Sequence, residues 1–201
     1  MYWYEDEVRR LESERSKLGY NPKVLFYGSS SMRMWSTLQK DFEPFSPVNL
    51  GFGGSTLAGC VWFYERVVAP YKPEAIVLYA GDNDLGDGRN PEEVFIFFKQ
   101  FAADVHRTFG SIPCFFISLK PSIARWHLIE KFKYSNRIIE SLIVHHFHNW
   151  QFVNVYNQMI DAKGFPKYEY YSNDGLHLNA KGYELWKNAL YPKLAESIRI
   201  I

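Results

Sequence analysis

Val24-Leu25-Phe26-Tyr27-Gly28-Ser29-Ser30-Ser31 is the stretch on which the fold reading turns. Four apolar residues run without alternation and stop at a glycine. A strand with one wet face alternates apolar and polar residues, whereas a strand covered on both faces does not. The run therefore reads as a buried strand of a parallel sheet, with serines at its C-terminal end.

Four further runs extend the pattern: Val48-Asn49-Leu50, Ala75–Ala80 ending at Gly81, Cys114–Leu119, and Phe152–Tyr156. Helical segments lie between and around them. Residues 5–17 are charged, with sparse apolar positions at Val8, Leu11 and Leu18, and Asn21-Pro22 punctuates the chain after them. Pro91-Glu92-Glu93 suits a first helical turn, where N–H groups are unpaired and the dipole end is positive. Val94, Phe97, Phe98, Phe101, Ala102, Val105 and Phe109 then recur at helical spacing. Residues 130–148 form another helix with an apolar stripe of Ile138, Ile139, Leu142 and Ile143. Asn179 caps a last helix from about residue 180, which Pro192 is expected to kink or split. Strands and helices in alternation predict an α/β fold with a five-stranded parallel sheet and right-handed crossovers. Residues 1–201 read as a single domain, with residues 1–20 as an N-terminal surface helix.

Composition bounds the function. The net charge of +1 gives no field that would gather nucleic acid or an anionic membrane, so neither is expected as a partner. The start, Met1-Tyr-Trp-Tyr-Glu-Asp-Glu, lacks a basic segment followed by an apolar one, and no stretch is apolar enough to span a bilayer. A cytoplasmic location is the resulting expectation. Cys60 and Cys114 have no metal-type spacing; one disulfide or two buried free thiols fit, and the thiols are preferred. Aromatics at 18% imply a core built on large side chains, with a few left to line a cleft.

Ligands on parallel sheets bind beyond the C-terminal strand ends. There the sequence places Gly28-Ser29-Ser30-Ser31, then Asn49-Leu-Gly-Phe-Gly-Gly-Ser55-Thr56, then Gly81-Asp82-Asn83-Asp84. Asp174-Gly175-Leu176-His177 stands just before the last helix. Each is unremarkable alone; in this order they resemble the SGNH hydrolases, also called GDSL-type esterases and lipases. Gly28-Ser29-Ser30 matches the family's Gly-Asp-Ser, with Ser29 in place of the usual Asp, as in a bacterial branch reading Gly-Ser-Ser-Ser followed by Trp, here Trp35. The resemblance spans Gly28 to His177. It implies a flavodoxin-like three-layer α/β/α sandwich and a catalytic triad of Ser30, His177 and Asp174. It also implies an oxyanion hole of the Ser30 and Gly54 N–H groups and the Asn83 side-chain amide.

The chemistry suits those residues. A serine hydroxyl needs a base, and the base needs a partner that fixes its tautomer. Asp174 is near enough in sequence to reach Nδ1 of His177 and leave Nε2 outward. The expected reaction is cleavage of small acyl or acetylated carbohydrate esters through an acyl-enzyme, with no cofactor. Acyl transfer with the same triad, or a non-catalytic binding module on the same fold, are the alternatives. Oligomeric state is not legible.

Rival readings fail on spacing. The Gly-x-Ser-x-Gly elbow is absent because Met32 stands at its last glycine. No phosphate-binding glycine motif follows a strand. Asp82, Asp84 and Glu93 mimic part of a calcium loop, but Asp87 occupies the required glycine position. His145 and His148 share a helix face without a third ligand at metal spacing, so no metal is expected. Lys120-Pro-Ser-Ile-Ala-Arg125-Trp126 follows the fourth strand, which makes Arg125 and Trp126 candidates for the substrate rim.

Overall fold

Each of the five apolar runs becomes a strand, and all five pair in parallel. The computed structural model describes residues 1–198. The strands are β1 (Val24–Gly28), β2 (Pro47–Gly51), β3 (Ala75–Tyr79), β4 (Cys114–Ile117) and β5 (Trp150–Val153), in the order β2-β1-β3-β4-β5. This is the flavodoxin-like order, whose topological switch point lies between β1 and β3. There Gly28 pairs with Gly51 on one side and Tyr79 on the other.

Helix α1 (Glu5–Ser16) precedes the sheet, α2 (Ser30–Arg33) and α3 (Leu38–Asp41) join β1 to β2, and α4 (Leu57–Trp62) and α5 (Tyr64–Val67) join β2 to β3. Helices α6 (Asp82–Gly86) and α7 (Pro91–Phe109) join β3 to β4, α8 (Ile129–His146) joins β4 to β5, and α9 (Ala180–Ser197) follows the sheet. Side chains of adjacent strand residues sort onto opposite faces. Phe26 packs on Trp35 and Phe42, and Tyr79 on Trp186, giving the layer of α2, α3 and α9. Tyr27 stacks on Phe101, and Phe116 meets Phe98, giving the layer that includes α7. The result is a three-layer α/β/α sandwich whose core carries large aromatic side chains.

Beyond shifts of a residue or two at strand and helix ends, three features differ from the sequence reading. β5 occupies 150–153 rather than 152–156, because Val155 and Tyr156 leave the ladder and donate their N–H groups to the buried Ser118 Oγ, each at 3.0 Å. Helix α8 ends at His146, so His148 lies beyond it. Pro192 does not split α9. The ring removes one N–H, but Pro192 and Asn188, whose carbonyl that N–H would have met, are exposed, while Trp186, Leu190 and Leu194 hold the opposite side in the core. Cys60 and Cys114 are buried free thiols. Among the described residues no helix is long and apolar enough to cross a membrane.

The switch point admits no side chain. Gly28 has φ +138°, and a Cβ there would lie 1.9 Å from the Tyr79 carbonyl oxygen. Gly110 also has positive φ, at +71°, but nothing within 4 Å of its missing Cβ. Gly28→Ala is therefore expected to lose about 3 kcal/mol or more, and Gly110→Ala only about 1–2 kcal/mol, in urea unfolding. Equal losses would mean that the β1–β3 contact yields freely.

Candidate active site

The end of β1 turns directly into α2, and the turn separates three adjacent serines by exposure. Ser29 and Ser31 are 0% and 1% exposed, while Ser30 is part-exposed. Ser29 N–H donates to the Tyr79 carbonyl at 2.9 Å, and Ser31 Oγ meets Lys120 Nζ at 3.2 Å. Ser30 Oγ faces His177 Nε2 at 3.1 Å. On the far side of the ring, Nδ1 meets Asp174 Oδ2 at 2.6 Å.

A short loop holds this pair. Asp174 Oδ1 accepts from the N–H groups of Leu176 and His177, each at 2.9 Å, so the carboxylate is fixed by backbone as well as by the ring. Tyr171 and Leu178 bridge in antiparallel fashion at the loop's base, and the Asn179 side chain caps α9 while donating to the Glu169 and Tyr171 carbonyls. Burial pushes the Asp174 carboxyl up, but the His177 ring and the two N–H donors outweigh it and bring it down to about 2.

The other strand ends supply N–H donors. Gly54 adopts φ +67° and its carbonyl accepts the Tyr4 hydroxyl at 2.9 Å. A Cβ on Gly54 would meet nothing within 4 Å, so what glycine provides there is the dihedral and not close approach. Among the described residues the Ser30 and Gly54 N–H groups have no protein acceptor. Asn83 is 8% exposed; its Nδ2 donates one N–H to the Ser55 carbonyl at 2.9 Å, and its Oδ1 accepts from Arg125 Nη2 at 2.8 Å. Arg125 Nη1 donates to the Asp82 carbonyl at 2.9 Å. Trp126 packs on Phe165, ring centroids 5.1 Å apart.

Beneath these residues lies a buried ionic group that the sequence reading did not single out. Lys120 Nζ contacts Ser31 Oγ, the Tyr79 hydroxyl at 3.1 Å and Asp82 Oδ2 at 3.2 Å. Burial pushes the Asp82 carboxyl up, but the Lys120 and Arg125 charges and the Tyr79 hydroxyl overcome it and hold Asp82 below its usual range. Asp84 accepts from the N–H groups of Leu57 at 2.6 Å and Ala58 at 3.3 Å, tying the loop after β2 to the loop after β3. The one signal in the sequence was a lysine directly after an apolar strand, opposite an acid-rich strand end.

Among the described residues no three His, Cys, Asp or Glu side chains gather as a metal site. A cavity of about 920 Å³, lined by His106, His146 and His148, opens beside Pro113 and Asn149, at the N-terminal ends of β4 and β5. It contains none of the residues around Ser30.

A sequence model of the GDSL-like Lipase/Acylhydrolase family matches residues 19–185. No curated protein matches the chain. A Streptococcus pneumonia protein described as a candidate platelet activating factor superposes with TM-score 0.83 at 22% identity, covering 96% of this chain and 95% of that one. A GDSL-like lipase from Bacteroides thetaiotaomicron gives 0.80 at 20% identity, covering 95% and 98%. An acetyl xylan esterase gives 0.69 at 18% identity, covering 85% and 98%.

Asp84 generates a pH signature. Burial, opposed by its two N–H donors, raises its carboxyl to about 6. The folded state then holds a proton that the unfolded chain releases, so this contribution to stability is full below about pH 4 and is lost by about pH 6. The loss amounts to about 3 kcal/mol. Melting temperature measured across that window is expected to fall more steeply for the wild-type protein than for Asp84→Asn; parallel profiles would contradict this.

Proposed function

This chain belongs to the GDSL-like Lipase/Acylhydrolase family, and we propose that it is a serine ester hydrolase with Ser30 as nucleophile. The observation that carries the reading is the unbroken line from Ser30 Oγ through His177 to Asp174, at 3.1 and 2.6 Å. Ser30 Oγ attacks the ester carbonyl as His177 Nε2 takes its proton. Asp174, accepting from Nδ1–H, fixes the tautomer and stabilises the imidazolium. The tetrahedral oxygen is received by the N–H groups of Ser30 and Gly54 and by the remaining N–H of Asn83 Nδ2. Collapse expels the alcohol, which takes the proton from His177 and leaves an acyl-Ser30 ester. Water, deprotonated by His177, then attacks that ester and restores the free serine.

Small acyl esters, including acetylated carbohydrates, are the proposed substrates. The Trp126–Phe165 pair supports this, since sugar rings pack on aromatic faces. It joins the triad through Ile123, whose carbonyl accepts the Trp126 N–H and whose side chain lies against Gly175. An acetyl xylan esterase among the fold neighbours is consistent with that class.

Ser30→Ala is expected to abolish both hydrolysis of p-nitrophenyl acetate and labelling by a fluorophosphonate, with an unchanged melting temperature. Asn83→Ala is expected to lower kcat by about 10²–10³-fold. Wild-type turnover by folded Ser30→Ala would exclude Ser30 as the nucleophile, and a folded wild-type protein that takes up no fluorophosphonate would favour a binding module.

A further inference from the structure

An oxyanion donor made from a side chain has a weakness that a backbone N–H lacks. The Asn83 amide can rotate by half a turn and present its oxygen where a donor is needed. Here the surroundings allow one orientation. Oδ1 faces the guanidinium of Arg125, which can only donate, and Nδ2 faces the Ser55 carbonyl, which can only accept. Reversal would set donor against donor and acceptor against acceptor.

Arg125 is itself built into the site. Its side chain is 19% exposed, its Nη1 donates to the Asp82 carbonyl, and the Asp82 carboxylate lies 3.8 Å from it as counter-charge. Gly86, one helical turn beyond Asp82 in α6, leaves room for the guanidinium. A Cβ there would sit 2.9 Å from Arg125 Cζ and 3.0 Å from Nη2. The residue before Arg125 also touches the triad loop, since Ala124 N–H donates to the Gly175 carbonyl at 3.1 Å.

From this arrangement we propose that Arg125 is a positioning residue for the oxyanion hole: it locks the Asn83 amide in its donating orientation and polarises it. A positive donor on an amide oxygen draws electron density from the nitrogen, and linked hydrogen bonds strengthen one another. The free N–H of Nδ2 thereby becomes a better donor as negative charge develops on the substrate oxygen. The proposal rests on the reading of Asn83 as an oxyanion donor, and it gives Arg125 a role through Asn83 in place of direct contact with substrate.

The test is a double-mutant cycle with p-nitrophenyl acetate as probe, with melting temperatures to confirm folding. Arg125→Ala should lower kcat about 10–100-fold, less than loss of the donor itself, with little change in KM. In an Asn83→Ala background the same change should alter kcat by less than about threefold, because a residue acting through Asn83 has nothing left to act on. Gly86→Ala, which keeps Arg125 but displaces its guanidinium, should reproduce the kcat loss and its dependence on Asn83. Arg125→Lys, which keeps charge but cannot fork between Asp82 O and Asn83 Oδ1, should recover only part of the rate. If Arg125→Ala fails to fold, the Gly86 and Lys variants carry the cycle. Equal losses in both backgrounds, or a rise in KM alone, would overturn the proposal and leave the oxyanion reading standing. An Asn83→Ala protein with wild-type kcat would overturn both.

Discussion

The ammonium of Lys120 is where three strand ends are fastened together. It lies 1% exposed, between Ser31 just after β1, the Tyr79 hydroxyl at the end of β3, and the Asp82 carboxylate just after β3, and it is itself carried by the segment after β4. Burying an ion costs several kcal/mol, which its partners offset only when geometry is good and the remaining donors are satisfied. Lys120 meets that condition with a partner for each of its three N–H groups. Such a group adds little net stability over a well-packed apolar core, but removing Asp82 would leave the buried ammonium without its counter-charge, and removing either hydroxyl would leave one of its N–H groups unsatisfied. The strand ends are therefore held in one arrangement. Ser30 and Asn83 are placed by the same backbone turns that place Ser31 and Asp82.

That constraint explains which parts of the molecule could be read from the chain. The central strands β1, β3 and β4 appear as fully apolar runs because the sheet is covered on both faces there, and their positions follow from the runs; β2, at one edge with Val48 and Asn49 only half-buried, is a weaker run. β5 is at the other edge, where Gln151 and Phe152 are only half-buried. Its true start at Trp150 was masked by the stronger run that follows, and Ser118, 34 residues before Phe152, ends the strand by capturing two N–H groups. Pro192 departs from expectation for a different reason: a proline ring costs most where the lost N–H would be buried, and here it sits on the exposed side of the helix, opposite buried side chains.

The site divides in the same way. Asp174 and His177 were legible because three residues of separation suffice to bring carboxylate and ring together. Ser30 was legible from its place in the block, and its exposure relative to Ser29 and Ser31 agrees. The supports were not legible. Tyr4 on the Gly54 carbonyl, Asp84 on the start of α4 and Arg125 on Asn83 join positions 50, 27 and 42 residues apart. No local spacing encodes those contacts. They arise because parallel crossovers return each strand end to the same edge of the sheet.

The two halves of the site also differ in their electrostatics. Asp174 has a side chain 49% exposed and His177 24%, so water screens their interaction, and what the loop supplies there is chiefly orientation. Asn83, Asp82 and Lys120 are nearly dry, and charge acts there with little screening. In the proposed mechanism a proton enters and leaves His177 in each half-reaction, which suits access to water. An oxyanion forms and disappears without leaving the site, and a dry, preorganised set of dipoles stabilises it without reorganising. In the proposed mechanism the wet half moves protons and the dry half meets charge. Ser30, at the tip of β1 between them, is the one side chain that has to serve both.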